Sequence, residues 1–214
     1  MKKIGLILVV IAILILAFIF FRNSGPTNNL DQFEQSAENL PVIPEGQYKV
    51  DSELTRLRWQ GSRIDGSTHF GFVTVSGGEV EVKEGKAEGE FNIDMTTISE
   101  SKNTEMFLLD IRGEDFFAVD RFPTAKIKIN IDSEMDRGPE AYTVRGELTI
   151  RDKTNPISFP ARIHRDGNNL VADASFLIDR TEWDIIFDSG SFFTNLGDRA
   201  IHDNIQFELH LILN

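Results

Sequence analysis

Apolar and polar residues alternate with a period of two along much of the chain after residue 46. From Ala87 to Met95, apolar or small residues occupy every second position, and polar or charged residues fill the positions between them. Successive side chains of a β-strand point to opposite faces, so this run predicts a strand with one buried and one solvated face. The same alternation recurs over residues 142–150, 157–163, 170–178 and 205–213. These runs predict an all-β domain.

Short turn signals separate the predicted strands. They are Gly77-Gly78, Glu84-Gly85, the DRGP sequence at residues 136–139 and the DGNN sequence at residues 166–169. Links of this length favour antiparallel neighbours. Only residues 104–113 have the clustered apolar side chains that predict a helix inside the domain. About eight half-buried strands with one short helix are typical of a barrel or a sandwich, and periodicity alone does not choose between them.

Small residues on the predicted inward faces favour the barrel. These faces mix large apolar side chains with small ones, a pattern that fits a tapered or hollow interior as well as a filled core. The small residues are Ala87, Gly89, Gly146, Ala161, Ala172 and Ala174. Eight strands enclose enough space for one small ligand. We therefore expect an antiparallel eight-stranded β-barrel over residues 46–214.

The amino-terminal segment carries a targeting signal. Lys2 and Lys3 precede the 18 uncharged residues 4–21, which are long enough to span a membrane. A cleaved export signal usually has a shorter apolar region and a small-residue cleavage site, whereas this segment runs directly into Arg22. We therefore expect residues 1–22 to form a transmembrane helix that anchors the chain, with a cleaved export signal as the alternative.

Both alternatives place the barrel outside the cytoplasm. Lysines that flank a span stay on its cytoplasmic side, so the C-terminal domain should lie on the periplasmic or extracytoplasmic side of the cell membrane. If the signal is cleaved, the domain is instead secreted to the periplasm. Residues 23–45 predict a linker, because Pro26 breaks the apolar run. Apolar residues from Leu30 to Leu40 recur at helical spacing and predict a short amphipathic helix in this linker.

Composition narrows the function classes. The chain has 34 acidic and 22 basic residues, which argues against a nucleic-acid partner because phosphate contacts need an excess of lysine and arginine. It has no cysteine, which excludes disulfides, thiolate metal sites and a cysteine nucleophile. The sequence contains no phosphate loop, nucleophile elbow or HExxH motif. We therefore expect no enzymatic activity, no metal and no required cofactor.

Residues 115–125 read DFFAVDRFPTA and set three phenylalanines among charged residues. Pro123 cannot donate to a β-ladder and holds the preceding residue extended, so a strand can begin directly after it. Phe116, Phe117 and Phe122 would then anchor the approach to that strand. We expect these rings to point at a core or a cavity.

The sequence resembles the YceI-like family, and the resemblance extends from about residue 46 to residue 213. Beside DFFAVDRFPTA, the matching pieces occur in order along the chain. They are GQYKVD at 46–51, LRWQG at 57–61, HFG at 69–71, FNIDMTTI at 91–98, GELTI at 146–150, IDRTEW at 178–183 and GDRAIHD at 197–203. The resemblance implies a lipocalin-like β-barrel that binds a polyisoprenoid or a related long-chain lipid in a hydrophobic tunnel.

Two positions depart from the family pattern. Many members have a glycine-threonine turn where this chain has RDKT at residues 151–154, and many have a glycine where Asp184 follows the tryptophan. These changes do not put the fold in doubt. They bear on the ligand if they lie at the mouth of the tunnel.

The resemblance and the aromatic content together give a set of candidate residues for the lining or lid of the tunnel. They are Trp59, His69, Phe91, Ile93, Phe107, Phe116, Phe117, Phe122, Leu148, Phe159, Phe176, Ile178, Arg180, Trp183, Phe192 and Phe193. For most of the aromatic residues, ordinary core packing is the alternative interpretation. Burying an isoprenoid chain contributes about 0.8 kcal/mol per CH₂ group, so a lined tunnel needs few polar contacts.

Polar residues give few further candidates. His164 and His210 fall on the polar phases of predicted strands, so we expect exposed, inert side chains without a carboxylate at chelating spacing. His69 is expected either to satisfy loop backbone or to bond a ligand head group. Asp179 and Arg180 are expected to form a charge-assisted pair at the rim of the barrel, with an anionic head group as the alternative partner of Arg180.

The sequence therefore predicts an exported, membrane-tethered protein that holds a polyprenyl lipid, a quinone or a fatty amide. Its partners would be this lipid and the membrane through residues 4–21, and a homodimer is a further expectation. The alternative is a structural or interaction module of the cell envelope, in which the barrel is filled and residues 115–125 plug one end.

Overall fold

The computed structural model of the chain describes residues 43–102, 104–132 and 141–214. The predicted anchor at residues 1–22, the helix of the linker and the DRGP turn lie outside the described residues. Within the described ranges, no helix has the length and apolar character needed to cross a membrane. The transmembrane helix and the linker therefore stay predictions.

Nine antiparallel strands form one sheet in the described part of the chain. They are β1 Gly46–Lys49, β2 Arg56–Ser62, β3 Thr68–Lys83, β4 Lys86–Asp94, β5 Thr124–Asp132, β6 Ala141–Ile150, β7 Lys153–Asp166, β8 Asn169–Asp179 and β9 Asn204–Leu213. Along the sheet, β2 is followed by β9, β8, β7, β6, β5 and β4, and β4 pairs with β3. Because β3 also pairs with β2, the sheet closes on itself.

The ring has eight strand positions, and β1 and β2 share one of them. β2 pairs with the first part of β3, whereas β1 pairs with its last part. Beyond β1, Val50 bridges to Leu213 of β9, so β1 fills the gap between β3 and β9 that β2 leaves. The predicted eight-stranded antiparallel barrel is thus confirmed. Closure removes the free sheet edges that would otherwise invite association.

The two ends of the barrel differ in the length of their connections. At one end, residues 84–85 and 167–168 join neighbouring strands in two-residue turns. At the other end, residues 95–123 join β4 to β5 and residues 180–203 join β8 to β9. The first of these long connections contains helix α1, Glu105–Arg112, so we call this the helix end of the barrel. Long loops on a rigid scaffold are where binding residues concentrate.

Helix α1 agrees with the helix predicted over residues 104–113. Thr104 stands at its N-cap position and Gly113 at its C-cap position, with Glu105 in the first turn and Arg112 in the last. An acidic first turn and a basic last turn both complement the helix dipole. Within the helix, the inward residues Phe107 and Ile111 lie four positions apart and pack against the barrel core.

The predicted turn at Gly77-Gly78 is wrong, because both glycines lie inside the 16-residue strand β3. The pairing of β3 with β4 shifts register between Val75 and Gly77, which marks a β-bulge. A Cβ added to Gly78 would lie 2.5 Å from the ring of Phe91, so the strands approach closely here. Bulges and glycines let a long strand bend around a barrel.

The other turn predictions that fall on described residues are confirmed. Glu84 and Gly85 have φ angles of 52° and 75° between the paired residues Lys83 and Lys86. Positive φ at both central residues is the type I′ geometry that a two-residue hairpin prefers. The DGNN sequence likewise turns β7 into β8, and β5 begins at Thr124, directly after Pro123.

Candidate functional site

The barrel encloses a cavity of about 220 Å³. Its lining includes side chains from all eight strands β2 to β9, together with residues from α1 and from the two long connections. An apolar cavity of roughly 150 Å³ already stays dry and binds a small hydrocarbon. The barrel of this protein is therefore hollow, with room for an apolar guest.

Small side chains on the inward faces keep the cavity open. Ala172 and Ala174 of β8 lie on its wall, and both are only half-buried although they point inward. Ala87 and Ala161 also line the cavity. The mixture of small and large inward residues predicted from the sequence thus corresponds to a retained interior space.

Polar side chains of the lining are confined to the helix end. Among the described residues, they are Ser62, Arg63, His69, Asp110, Arg180 and His202. Each belongs to the end of β2, the loop that follows it, the start of β3, α1 or the connection from β8 to β9. The rest of the wall, down to Val82, Ile163 and Leu213 at the opposite end, is apolar. The cavity therefore has one polar end and one apolar end.

Eleven of the sixteen candidate residues lie on the cavity wall. They are Trp59, His69, Phe91, Ile93, Phe107, Phe116, Phe117, Leu148, Phe159, Phe176 and Arg180. Five of them, Phe91, Ile93, Leu148, Phe159 and Phe176, lie in strands whose inward phase the alternation predicts. Contact with a ligand stays a prediction for all sixteen residues.

The other five candidates lie outside the lining. Ile178 is buried in the core, and Trp183, only 1% exposed, donates from Nε1 to the carbonyl oxygen of Leu148 at 3.0 Å. The ring of Phe122 packs against the guanidinium groups of Arg121 and Arg151. Phe192 and Phe193 are 55% and 46% exposed. A lid role for this last pair stays a prediction.

Phe116 lines the cavity from the long connection between β4 and β5. Its ring centroid is 5.4 Å from that of Phe187, which also lines the cavity and is 37% exposed. Phe187 was not a candidate from the sequence. It lies in an irregular segment, where no period marks the direction of a side chain.

Three rings form a parallel stack at the helix end. Phe107 of α1 lies 4.1 Å from the ring of His69 and 6.2 Å from that of Trp59, within 10° of parallel in both cases. Trp59 also donates from Nε1 to the carbonyl oxygen of Ser99 at 3.1 Å. The stack fixes α1 against β2 and β3 and places an imidazole on the cavity wall.

Glu100 is a buried carboxylate that no sequence motif singles out. It accepts hydrogen bonds from the backbone N–H of Lys102 at 2.9 Å and of Thr104 at 3.4 Å, and its Oε1 lies 3.3 Å from Nδ1 of His69. Desolvation alone would raise the pKa of Glu100. The bonds from Thr104, His69 and Lys102 outweigh it and hold the pKa below its ordinary value. Glu100 is therefore ionised at neutral pH.

Arg180 holds the connection between β8 and β9 together. Its guanidinium donates, at 2.8 to 3.4 Å, to the backbone carbonyls of residues 185, 187, 201 and 202 and to Oδ1 of Asp203. These five bonds use all five N–H groups of an arginine. Desolvation lowers the pKa of Arg180, although the carboxylates of Asp203, Asp179 and Asp188 oppose that change.

This arrangement corrects the predicted pair of Asp179 and Arg180. Asp179 instead accepts from the backbone N–H and the hydroxyl of Thr181, which caps the 3-10 helix Arg180–Trp183. The ionic partner of Arg180 is Asp203. Since its donors are all used within the protein, the guanidinium has none to spare for a ligand head group in this arrangement.

His164 and His210 lie on the outer face of the barrel and share a carboxylate. Nδ1 of His210 is 2.7 Å from Oδ1 of Asp173, and Nδ1 of His164 is 3.9 Å from Oδ2 of the same residue. This shared carboxylate is a contact that the spacing of the two histidines along the sequence did not predict. Asp173 comes from β8, and only the strand register brings it beside β7 and β9.

Comparison with known proteins adds to this geometry. The profile of the YceI-like domain matches residues 48–213. No curated protein matches the chain. The structure of BcnA from Burkholderia cenocepacia is similar, with a TM-score of 0.60 and 19% identity over 76% of this chain and 98% of that one. A polyisoprenoid binding domain from Saccharophagus degradans, implicated in plant cell wall breakdown, is also similar, with a TM-score of 0.58 and 12% identity. The match covers 78% of this chain and 97% of that one. At these identities, the likeness shows a shared fold.

Proposed function

Because this chain belongs to the YceI-like domain family, we propose that its barrel binds a long-chain isoprenoid or a similar lipid inside the cavity. The observation that carries the proposal is the polarity of the cavity, which is apolar along its wall and polar only at the helix end. An amphipathic lipid has the same division between an apolar chain and a polar head. The solved domain from Saccharophagus degradans, described as polyisoprenoid binding, has the same fold and supports this choice of ligand class.

Burial of the chain would supply most of the affinity. Each CH₂ group removed from water contributes about 0.8 kcal/mol, so even one isoprene unit in the cavity is a substantial gain. Among the described residues, the lining offers no continuous ladder of polar groups that would select a sugar or a peptide. Affinity for a series of lipids should therefore rise with chain length until the cavity is full.

We further propose that the domain works beside the membrane. The support is the apolar segment at residues 4–21 with its two preceding lysines, which would leave the barrel on the extracytoplasmic side. A tethered barrel would meet its lipid at the bilayer without diffusing through water. A cleaved export signal, giving a periplasmic protein, remains the alternative, and a homodimer stays a prediction.

The competing role is that of a structural module with a filled barrel. That role requires side chains in place of the interior space. A cavity of about 220 Å³ speaks against it. The same apolar wall, without a paired nucleophile and base among the described lining residues, supports binding rather than catalysis.

The test asks whether the protein carries a lipid and whether that lipid is bound in the cavity. The full chain, purified in mild detergent, is extracted with organic solvent and the extract is analysed by mass spectrometry. Wild type should release a long-chain lipid. A double variant, Ala172→Leu and Ala174→Leu, should lose most of it, because the added side chains fill the cavity.

The matched control is Leu177→Ala, a substitution on the same strand at a residue that is 62% exposed. It should leave the lipid content unchanged. If wild type releases no long-chain lipid and takes up no fluorescent prenyl probe, the proposal fails. If the filled and control variants retain lipid equally, the lipid is bound elsewhere than in the cavity.

A further inference from the structure

At the polar end of the cavity, His69 and Glu100 form a hydrogen-bonded pair of titratable groups. The carboxylate of Glu100 has no exposed surface, and its Oε1 lies 3.3 Å from Nδ1 of His69. An ionised carboxylate can only accept hydrogen bonds. Nδ1 of His69 must therefore carry the proton of this bond.

The position of that proton determines what the other ring nitrogen can do. In a neutral imidazole, one nitrogen is a donor and the other is an acceptor, and the hydrogen bond made by one sets the role of the other. With the hydrogen on Nδ1, Nε2 presents a lone pair. Among the described residues, Nε2 makes no hydrogen bond, so this lone pair is available to a ligand.

The ring is also held in place. His69 lines the cavity, and its imidazole stacks on Phe107 with ring centroids 4.1 Å apart. The side chain is 28% exposed, which places it near the open end of the cavity rather than at its apolar end. The ring that carries this acceptor is therefore held in one orientation on the cavity wall.

We propose that this cavity selects a long-chain lipid whose head group is a hydroxyl, and that the O–H of this head group donates to Nε2 of His69. In this arrangement, His69 determines specificity, and Glu100 is a positioning residue that keeps the hydrogen on Nδ1. The inference rests on the proposed lipid-binding function and adds the head-group class to it. An ether or an ester of the same chain would enter the cavity but leave Nε2 without a donor.

The alternative head group is an anion. Its partner would be Arg63, which also lines the polar end of the cavity. Two carboxylates at this end oppose it. Glu100 lies behind His69, and Asp110 of α1 is itself part of the lining. A phosphate would have to approach both, whereas a neutral hydroxyl would not.

The test compares ligands that share one chain. Geranylgeraniol, its methyl ether and geranylgeranyl monophosphate compete against a fluorescent prenyl probe for the full chain in non-ionic detergent. All ligands are measured at the same pH, about pH 8. For each protein, we take the ratio of its affinity for the alcohol to its affinity for the ether. The readout is the wild-type ratio divided by the ratio of a variant. The two ligands partition differently into detergent, but this difference is the same for every protein and cancels in the comparison.

Wild type should prefer the alcohol by about threefold to tenfold, the usual effect of one hydrogen bond. His69→Phe keeps a ring against Phe107 but removes the acceptor, so it should abolish the preference and leave the affinity for the ether unchanged. Glu100→Gln should reduce the preference, because an amide can bond either tautomer of His69. His210→Phe, on the outer face of the barrel, is the control and should behave as wild type.

Nitrogen NMR of the imidazole rings supplies a readout that does not depend on ligand. Wild-type His69 should show the Nδ1–H tautomer, and Glu100→Gln should show a mixture. If Glu100 only stabilised the fold, a folded Glu100→Gln variant would keep the same tautomer of His69 as wild type.

Three results would overturn the inference. If wild type and His69→Phe show the same ratio of alcohol to ether, His69 does not recognise the head group, although lipid binding stands. If the monophosphate binds more tightly than the alcohol and Arg63→Gln removes that advantage, the head group is an anion. If neither the probe nor any of the ligands binds, the proposed function fails and this inference fails with it.

Discussion

Lys153 and Asp184 form an ion pair at the helix end of the barrel. Lys153 begins β7, and Asp184 follows the 3-10 helix Arg180–Trp183. They lie at the two places where the sequence is expected to depart from the YceI-like pattern, in the turn after β6 and directly after Trp183. Asp184 has a φ of 58°, the left-handed conformation that favours glycine. The two places are thus neighbours in space and carry opposite charges.

We expect this pair to contribute little to stability. The two side chains are 42% and 64% exposed, and exposed ion pairs contribute about 0.2–1 kcal/mol. A double-mutant cycle with Lys153→Ala and Asp184→Ala, followed by urea unfolding, should give a coupling energy in that range. Neither residue lines the cavity, so the lipid content of both variants should equal that of wild type. A coupling energy well above 1 kcal/mol, or lost lipid, would contradict this assignment.

The alternation of residues predicted the strands well because that signal is local. β4, β6, β8 and β9 all contain runs that the period of two marks, and inward residues of all four strands line the cavity. Gly77-Gly78 was misassigned since paired glycines are typical both of turns and of bulges. Only the pairing of β3 with β4 distinguishes the two.

The polar end of the cavity could not be predicted in the same way. His69 and Glu100 are 31 positions apart, and the segment that carries Glu100 has no periodic pattern. It reaches His69 because residues 99 and 101 donate to the backbone of β3 after the chain leaves β4. Phe187 and Arg180 likewise acquire their roles from a long irregular connection. The strands were predictable, whereas contacts between distant loops were not.

Gly71 is the position that lets this segment approach β3. A Cβ at Gly71 would lie 1.8 Å from the carbonyl oxygen of Ser99, a backbone atom that cannot move aside easily. That oxygen also accepts the indole N–H of Trp59, the cross-strand partner of Gly71. We therefore expect Gly71→Ala to destabilise the protein by about 1–3 kcal/mol in urea unfolding.

The matched control for this change is Gly77→Ala, in the same strand, where an added Cβ meets nothing within 4 Å. Its effect should be small. Equal destabilisation by the two substitutions would mean that the loss reflects strand glycines in general rather than the contact with Ser99.

Arg180 should be one of the most sensitive positions in the barrel. It is 1% exposed, and its five hydrogen bonds join both ends of the connection from β8 to β9. Lysine retains the charge but not the planar fork, so Arg180→Lys leaves buried carbonyls without donors. We expect a loss of about 3–5 kcal/mol in the free energy of unfolding and faster hydrogen exchange over residues 185–203.

Arg199, an exposed residue of the 3-10 helix Gly197–Arg199 in the same connection, provides the control. Arg199→Lys should change neither the free energy of unfolding nor hydrogen exchange. If Arg180→Lys is as stable as this control, the five bonds are not what holds the connection in place.

The low pKa of Glu100 predicts how stability depends on pH. A carboxyl whose pKa is lower in the folded chain than in the unfolded chain stabilises the fold when it is ionised. This contribution is complete above about pH 4.3, the ordinary value for glutamate, and is lost as the pH falls through the folded pKa. Glu100→Gln removes this contribution, so the variant should lose less stability than wild type on acidification.

Urea midpoints between about pH 3 and pH 7 measure this difference. The control is Glu81→Gln, a substitution at an exposed glutamate of β3, which should follow wild type. Parallel acid curves for wild type and Glu100→Gln would show that the bonds from His69, Lys102 and Thr104 do not favour the ionised carboxyl.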